Sequence, residues 1–252
     1  MKELEYPFDA SELIRRKKSL RRQLLADQTP RVAKKSAVLG GSTTSDIVKM
    51  LELFLLNYGI APTFYESEYA QYFQDAMFPS QELLDFQPDL VFIHTTNRNV
   101  TNYPAVTDTP QQVEDKLHAE LEKFTAMWNS ITEKFHCPII QNNFEMPLYR
   151  LMGNRDCYDI HGRVNFLTRL NLAFYEHAAS HDAFYIHDIN FLSADYGLKE
   201  WSNPLYWNMY KYAMCFDAIP SFAFSLSNIV KSIFGKNKKA LALDLDNTLW
   251  GG

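Results

Sequence analysis

A chain of 252 residues, 46% hydrophobic and 14% aromatic, is long enough to bury one substantial core, so a single main domain is the first expectation. A formal net charge of -5 argues against a broad nucleic-acid-binding surface, and no run approaches the roughly eighteen uninterrupted apolar residues of a membrane span. The start, Met1-Lys2-Glu3-Leu4-Glu5, lacks a signal-peptide core, and Cys137, Cys157 and Cys215 match no zinc or disulfide spacing, which together read as a soluble cytoplasmic chain with free, buried thiols.

The first element is a helix. Asp9-Ala10-Ser11-Glu12 has the form of a capping box, and Leu13, Ile14, Leu20, Leu24 and Leu25 give an apolar stripe down to Ala26. The opposite face carries Arg15, Arg16, Lys17, Lys18, Arg21 and Arg22. It is either a solvated helix face or a dock for an acidic partner. Residues 27–35 read as linker, setting a first boundary at residue 30.

Ser36-Ala37-Val38-Leu39 reads as a buried strand that ends in Gly40-Gly41-Ser42-Thr43-Thr44-Ser45-Asp46. Ile47, Leu51, Phe54, Leu55 and Tyr58 follow at helical spacing, and Asn57-Tyr58-Gly59 stops that helix. Ser42 therefore sits at a strand-to-helix turn. Such a turn offers close backbone approach and helix-terminal amides, both suited to an oxyanion or a phosphate. The serine is either a nucleophile or one of several hydroxyls that can cap the helix.

Strands are expected at Pro62–Tyr65, at Gln87–His94 and at Cys137–Ile140, with a helix over Gln111–Phe135 whose buried face holds Val113, Leu117, Leu121, Phe124, Met127 and Trp128. The third strand runs into Thr95-Thr96-Asn97 and the fourth into Gln141-Asn142-Asn143. Residues 144–162 have weak periodicity and read as an excursion over the site; Asp156, Asp159 and His161 within it are either loop charges or metal ligands. A helix over Arg163–Ala179 precedes a fifth strand, Ala183–Asp188. Short helices fill Phe191–Gly197, Pro204–Phe216 and Pro220–Phe234.

After the basic linker 235–239, the apolar run Ala240-Leu241-Ala242-Leu243 leads into Asp244-Leu245-Asp246-Asn247-Thr248-Leu249-Trp250-Gly251-Gly252. Side chains alternate along a strand, so Asp244 and Asp246 point the same way, and two carboxylates that close are tolerated mainly where a metal or a proton relay uses them.

This last stretch resembles the first motif of the haloacid dehalogenase (HAD) phosphotransferases, and in its extended form the FkbH-like branch of that superfamily. The resemblance implies that Asp244 is the nucleophile accepting a phosphoryl group, that Asp246 is the general acid and base, that both carboxylates serve Mg2+, and that Thr248 holds the turn or contacts phosphate. The remaining parts of a HAD site would lie downstream of Gly252. The sequence is therefore expected to be an amino-terminal module followed by the first strand of a HAD domain, with no cofactor of its own.

Alternating strands and helices predict an α/β fold, a three-layer α/β/α sandwich around a parallel five-stranded sheet, over residues 31–234. The polar strand ends Gly41, Ser42, Asn97, Asn142, Asn143 and Asp188 resemble the flavodoxin-like SGNH-hydrolase (GDSL-like) family. There Ser42 would occupy the nucleophile position and Asn97 the oxyanion hole, with the other strand-end residues binding substrate. The Asp-x-x-His pair that completes that family's triad has no counterpart near Trp201-Ser202-Asn203-Pro204. FkbH-like proteins carry such a region ahead of their HAD domain. The resemblance implies a parent enzyme that dephosphorylates 1,3-bisphosphoglycerate and loads glyceryl onto an acyl carrier protein, which the basic helix could receive through Arg15, Lys18 and Arg22. The alternatives are a serine esterase using Ser42, with His94 or His161 as base, and a pure interaction module.

Overall fold

The structure, a computed structural model, describes residues 1–237. The motif at 240–252, with Asp244, Asp246 and Thr248, lies outside the described residues.

Five strands form one all-parallel sheet in the order β2-β1-β3-β4-β5: β1 (Val32–Gly40), β2 (Ile60–Glu66), β3 (Leu90–His94), β4 (Ile139–Asn142) and β5 (Phe184–His187). The helices are α1 (Ala10–Ala26), α2 (Ser45–Asn57), α3 (Tyr72–Met77), α4 (Gln81–Phe86), α5 (Pro110–Phe135), α6 (Arg163–Ser180), α7 (Ile189–Tyr196), α8 (Leu198–Trp201), α9 (Pro204–Tyr210) and α10 (Ile219–Ile233). The expected three-layer α/β/α sandwich is the architecture found. Among the described residues, no helix is long and apolar enough to cross a membrane.

Strand alternation sorts the core into two layers. Val38, Phe92 and Ile140 face α1, α2 and α10, while Ala37, Leu39, Val91, Ile93 and Ile139 face α3, α5 and α6. The first layer is closed by Leu13, Leu20 and Leu24 of α1. The second holds an aromatic cluster in which Phe124, Trp128, Phe144 and Phe174 meet edge to face or tilted. Asp9 caps α1 by accepting from the Glu12 amide at 3.0 Å, as the capping pattern predicts. Gly59, at φ 77, ends the α2 turn in the left-handed region that its sequence stop implies.

Three differences from the sequence reading have physical causes. β1 starts at Val32 rather than Ser36, because β2 pairs with it from Val32↔Ile60 to Val38↔Glu66; edge pairing needs backbone partners and not apolar side chains. The helix expected from Pro204 to Phe216 stops at Tyr210. Lys211 turns left-handed at φ 58, and the Tyr210 and Lys211 carbonyls accept from Thr43 instead of continuing the helix. Cys157 is exposed and only Cys215 is buried, so the expectation of buried thiols holds for one of the three.

Leu20→Ala is expected to cost about 2–5 kcal/mol, the range for deleting a fully buried leucine, with a single cooperative transition in urea. A separate early transition for α1 would show instead that this helix is not part of the same folding unit.

Candidate functional site

Ligands of open parallel sheets bind beyond the carboxyl ends of the strands where the order reverses, here between β1 and β3. At that point the Gly40–Thr44 turn is densely engaged. The Gly40 amide donates to Ser67 Oγ at 2.9 Å, the Gly41 amide to the His94 carbonyl at 2.8 Å, and the Thr43 amide to the Lys211 carbonyl at 2.9 Å. Three of the amides that could cradle an oxyanion are therefore already spent within the protein. Thr44, not Ser42, stands at the N-cap of α2, without a side-chain capping bond.

Gly41 is required by close approach. A Cβ there would fall 2.5 Å from the Asn99 side-chain amide, which donates to the Gly41 carbonyl at 3.0 Å and accepts from the Thr96 amide at 2.9 Å. Asn99 thus ties the loop after β3 to the loop after β1. Ser42 is 1% exposed, and its Oγ has no hydrogen-bond partner among the described residues.

The inner strand ends are joined by a buried row of polar groups. Asn142 Nδ2 donates to His94 Nδ1 at 2.7 Å and to the Thr95 carbonyl at 3.3 Å, while Asn142 Oδ1 accepts from His187 Nδ1 at 3.1 Å. Because the Thr95 carbonyl can only accept, the amide orientation is set, and with it the tautomers: His94 carries its proton on Nε2 and His187 on Nδ1. Both rings pack edge to face against Phe222, at centroid distances of 5.2 and 4.5 Å. Burial lowers both imidazoles to about 3, so they are neutral at physiological pH. With its Nδ1 lone pair taken by Asn142, His94 shares no hydrogen bond with Ser42. His161 is held by Asp159 Oδ1 at 2.8 Å and by the Asp108 carbonyl at 3.0 Å, likewise without a bond to Ser42.

Asn143 donates to Asp188 Oδ1 at 2.6 Å and to Tyr175 Oη at 2.7 Å, and Asp188 caps α7 by accepting from the Phe191 amide at 3.0 Å. Asn97 lies on a short 3-10 turn, Asn97–Asn99, and its Nδ2 donates to Glu145 Oε1 at 3.0 Å. Gly41, through Asn99, and Asn97 meet at the β1/β3 switch, whereas Asn142, Asn143 and Asp188 form internal networks at the β4 and β5 ends.

Sequence reasoning missed Glu145, Arg98 and Arg163. Glu145 is 2% exposed and accepts from Thr96 Oγ1 at 2.8 Å as well as from Asn97. Burial pushes its carboxyl up to about 7, against the pull of those hydrogen bonds. With Asn97, Arg98, Arg163, Ser202 and Ala213 it lines a cavity of about 190 Å³. The available signal was the position of Glu145, two residues beyond a strand-end Asn-Asn pair inside a stretch that reads as an excursion.

The reading of Asp156, Asp159 and His161 as metal ligands is not supported. Asp156 is fully buried and accepts from the Val164 amide at 2.8 Å, and among the described residues no group of three or more His, Cys, Asp or Glu side chains is placed to hold a metal ion.

A three-layer sandwich in flavodoxin-like strand order, with a serine turn at its switch point, defines a doubly wound α/β module. The pattern of the family described as "FkbH, N-terminal domain" matches residues 35–231, and the chain belongs to that family. Its fold is similar to the crystal structure of the N-terminal part of BF1531 from Bacteroides fragilis, which contains a phosphatase domain and is complexed with Mg, at TM-score 0.79 and 22% identity over 94% of this chain. The chain spans 61% of that neighbour's length. Weaker similarities are to a GDSL-like lipase from Bacteroides thetaiotaomicron (TM-score 0.42, 11% identity, 87% of this chain and 97% of that one) and to the catalytic domain of peptidoglycan O-acetyltransferase A from Streptococcus pneumoniae (TM-score 0.42, 13% identity, 81% and 94%). No curated protein matches the chain.

The raised Glu145 carboxyl has a signed consequence. Its contribution to stability is full below the ordinary value of 4.5 and is lost as pH rises through about 7. The stability of the wild type relative to Glu145→Gln, measured by urea denaturation, should therefore fall between pH 5 and 8, by at most about 3 kcal/mol. A difference that is flat with pH would show that Glu145 ionises normally.

Proposed function

We propose that this chain is the non-hydrolytic amino-terminal module of an FkbH-family enzyme whose HAD-type domain begins at the Asp244 motif. The observation that carries the reading is the family match over 35–231, followed in the same chain by Asp244-Leu245-Asp246-Asn247-Thr248-Leu249-Trp250-Gly251-Gly252. In this reading Asp244 attacks phosphorus and releases the leaving group, which Asp246 protonates, and Asp246 then deprotonates the water that cleaves the aspartyl phosphate. Mg2+ held by these carboxylates would neutralise the crowded phosphoryl oxygens. The parent enzyme would act on 1,3-bisphosphoglycerate and pass glyceryl to an acyl carrier protein.

Three features support a non-hydrolytic role for the module. Ser42 is buried, it has no imidazole bonded to it, and the Gly40, Gly41 and Thr43 amides of its turn are occupied. A serine hydroxyl without a base is a poor nucleophile at neutral pH. Fluorophosphonate should leave the 252-residue chain unlabelled; labelling that disappears in Ser42→Ala would establish the esterase reading instead. No Mg2+-dependent phosphate-ester hydrolysis is expected from these 252 residues, and such activity, lost in Asp244→Asn, would overturn the division of labour.

For the carrier protein, the exposed side chains of Arg15, Lys18 and Arg22 recur at i, i+3 and i+7 along α1, a stripe suited to an acidic helix. Arg15 pairs only locally, with Glu12. Reversing all three to Glu should weaken binding of an acidic carrier protein by about tenfold or more, with a steep salt dependence lost in the variant. Unchanged affinity in calorimetry would remove α1 from the interface.

A further inference from the structure

The cavity beyond the ends of β3 and β4 carries two exposed cations with no carboxylate partner among the described residues. Arg98, on the 3-10 turn after β3, lays its guanidinium over the Trp207 ring at 4.7 Å, and Arg163, the first residue of α6, lies over the Tyr103 ring at 4.8 Å. Neither makes an ion pair within 4.0 Å among the described residues, although Arg16, Lys17, Arg21, Lys34 and Arg169 elsewhere on the surface each do. Stacking on an aromatic face leaves a guanidinium's in-plane N–H groups unused, and those edges match the paired oxygens of carboxylate and phosphate. Lys211 lies on the same Trp207 ring at 5.7 Å, outside the cavity lining.

The nearest acid does not cancel these charges by pairing. Both oxygens of Glu145 are turned to Thr96 and Asn97. Asn97 is held by that carboxylate and by Tyr103, whose hydroxyl donates to the Asn97 carbonyl at 2.8 Å, so the wall between the two arginines is built and not fluctuating loop. The Tyr103 that anchors Asn97 is also the platform under Arg163. At about 190 Å³ the cavity falls below the ~300 Å³ of ordinary drug-sized pockets, a size suited to a compact ligand.

We propose that Arg98 and Arg163 form a binding site for a small oxyanion ligand, a phosphate or carboxylate group carried on a compact molecule. This site stands on its own geometry and does not depend on the chemistry proposed for the parent enzyme. It also replaces the Ser42 turn as the ligand-binding part of the module, since three of that turn's amides are engaged while the arginine edges are not.

The test is an NMR titration of the full 252-residue chain, following the arginine side-chain N–H signals, with inorganic phosphate in one arm and acetate in the other. Saturable shifts confined to Arg98 and Arg163 are expected, and the arm that binds more tightly identifies the oxyanion. The Arg98→Gln/Arg163→Gln pair, which keeps side-chain length and polarity, should weaken binding by about tenfold or more, while Lys18→Ala/Arg22→Ala on α1 should leave it unchanged. If both signals stay still in both arms, the site is refuted. Equal loss in the α1 variant would also refute it, by showing that surface charge alone attracts the ion. Thermal melts of both variants, expected to match the wild type, separate loss of the site from loss of the fold; should the Gln pair melt early, Arg98→Lys alone, which keeps the charge but not the fork, is expected to weaken binding, and wild-type affinity in it would overturn the assignment.

Discussion

A parallel sheet buried on both faces must pair most of the polar groups at its inner strand ends, and this constraint organises the molecule, although His94 Nε2 and His187 Nε2 have no partner among the described residues. Asn142 meets it on the α10 side by placing one amide between two imidazoles, His94 of β3 and His187 of β5. Gln141 meets it on the opposite side: its Oε1 accepts from Trp128 Nε1 at 3.1 Å and its Nε2 donates to Thr95 Oγ1 at 2.9 Å. Consecutive residues of one strand thus seal both faces, since side chains alternate. An unpaired buried polar group costs about 1–3 kcal/mol, so this double row sets the positions of three strand ends together.

That seal decides what the neighbouring loops can do. Both imidazoles are bound to Asn142 through Nδ1 and burial makes both weak bases. The turn after β1 is drawn into the structure by Ser67, His94 and Lys211, and the last of these contacts also stops α9. The outcome is a serine turn whose Gly40, Gly41 and Thr43 amides serve packing.

Polar groups not engaged within the protein lie one loop away. The loop after β3 is anchored on both flanks: Asn99 reaches Gly41, and the buried Glu120 of α5 accepts from the Thr101 and Asn102 amides at 2.9 Å each. Just ahead of these anchors, Asn97 and Arg98 line the cavity together with Glu145 and Arg163. A loop anchored in this way and carrying Arg98 is a suitable base for recognition, because little order remains to be imposed on binding.

Local pattern was enough to determine the class of the fold, the helix boundaries at Asp9 and Gly59, the five strands, and the family through its terminal motif, because apolar periodicity, capping residues and motif spacing are written within a few neighbouring positions. Tertiary structure alone decided the rest. Asn142, Asn143 and Asp188 look like free strand-end ligands in the sequence, yet their partners come from residues dozens of positions away. Glu120 and Glu145 look like ordinary polar residues until the fold buries them. Arg98 and Arg163 become a pair only when the loop after β3 and the start of α6 are brought to one cavity. Hydrogen bonds satisfied across the sheet, and charges left unpaired at its edge, are properties of distance in space, which spacing along the chain does not encode.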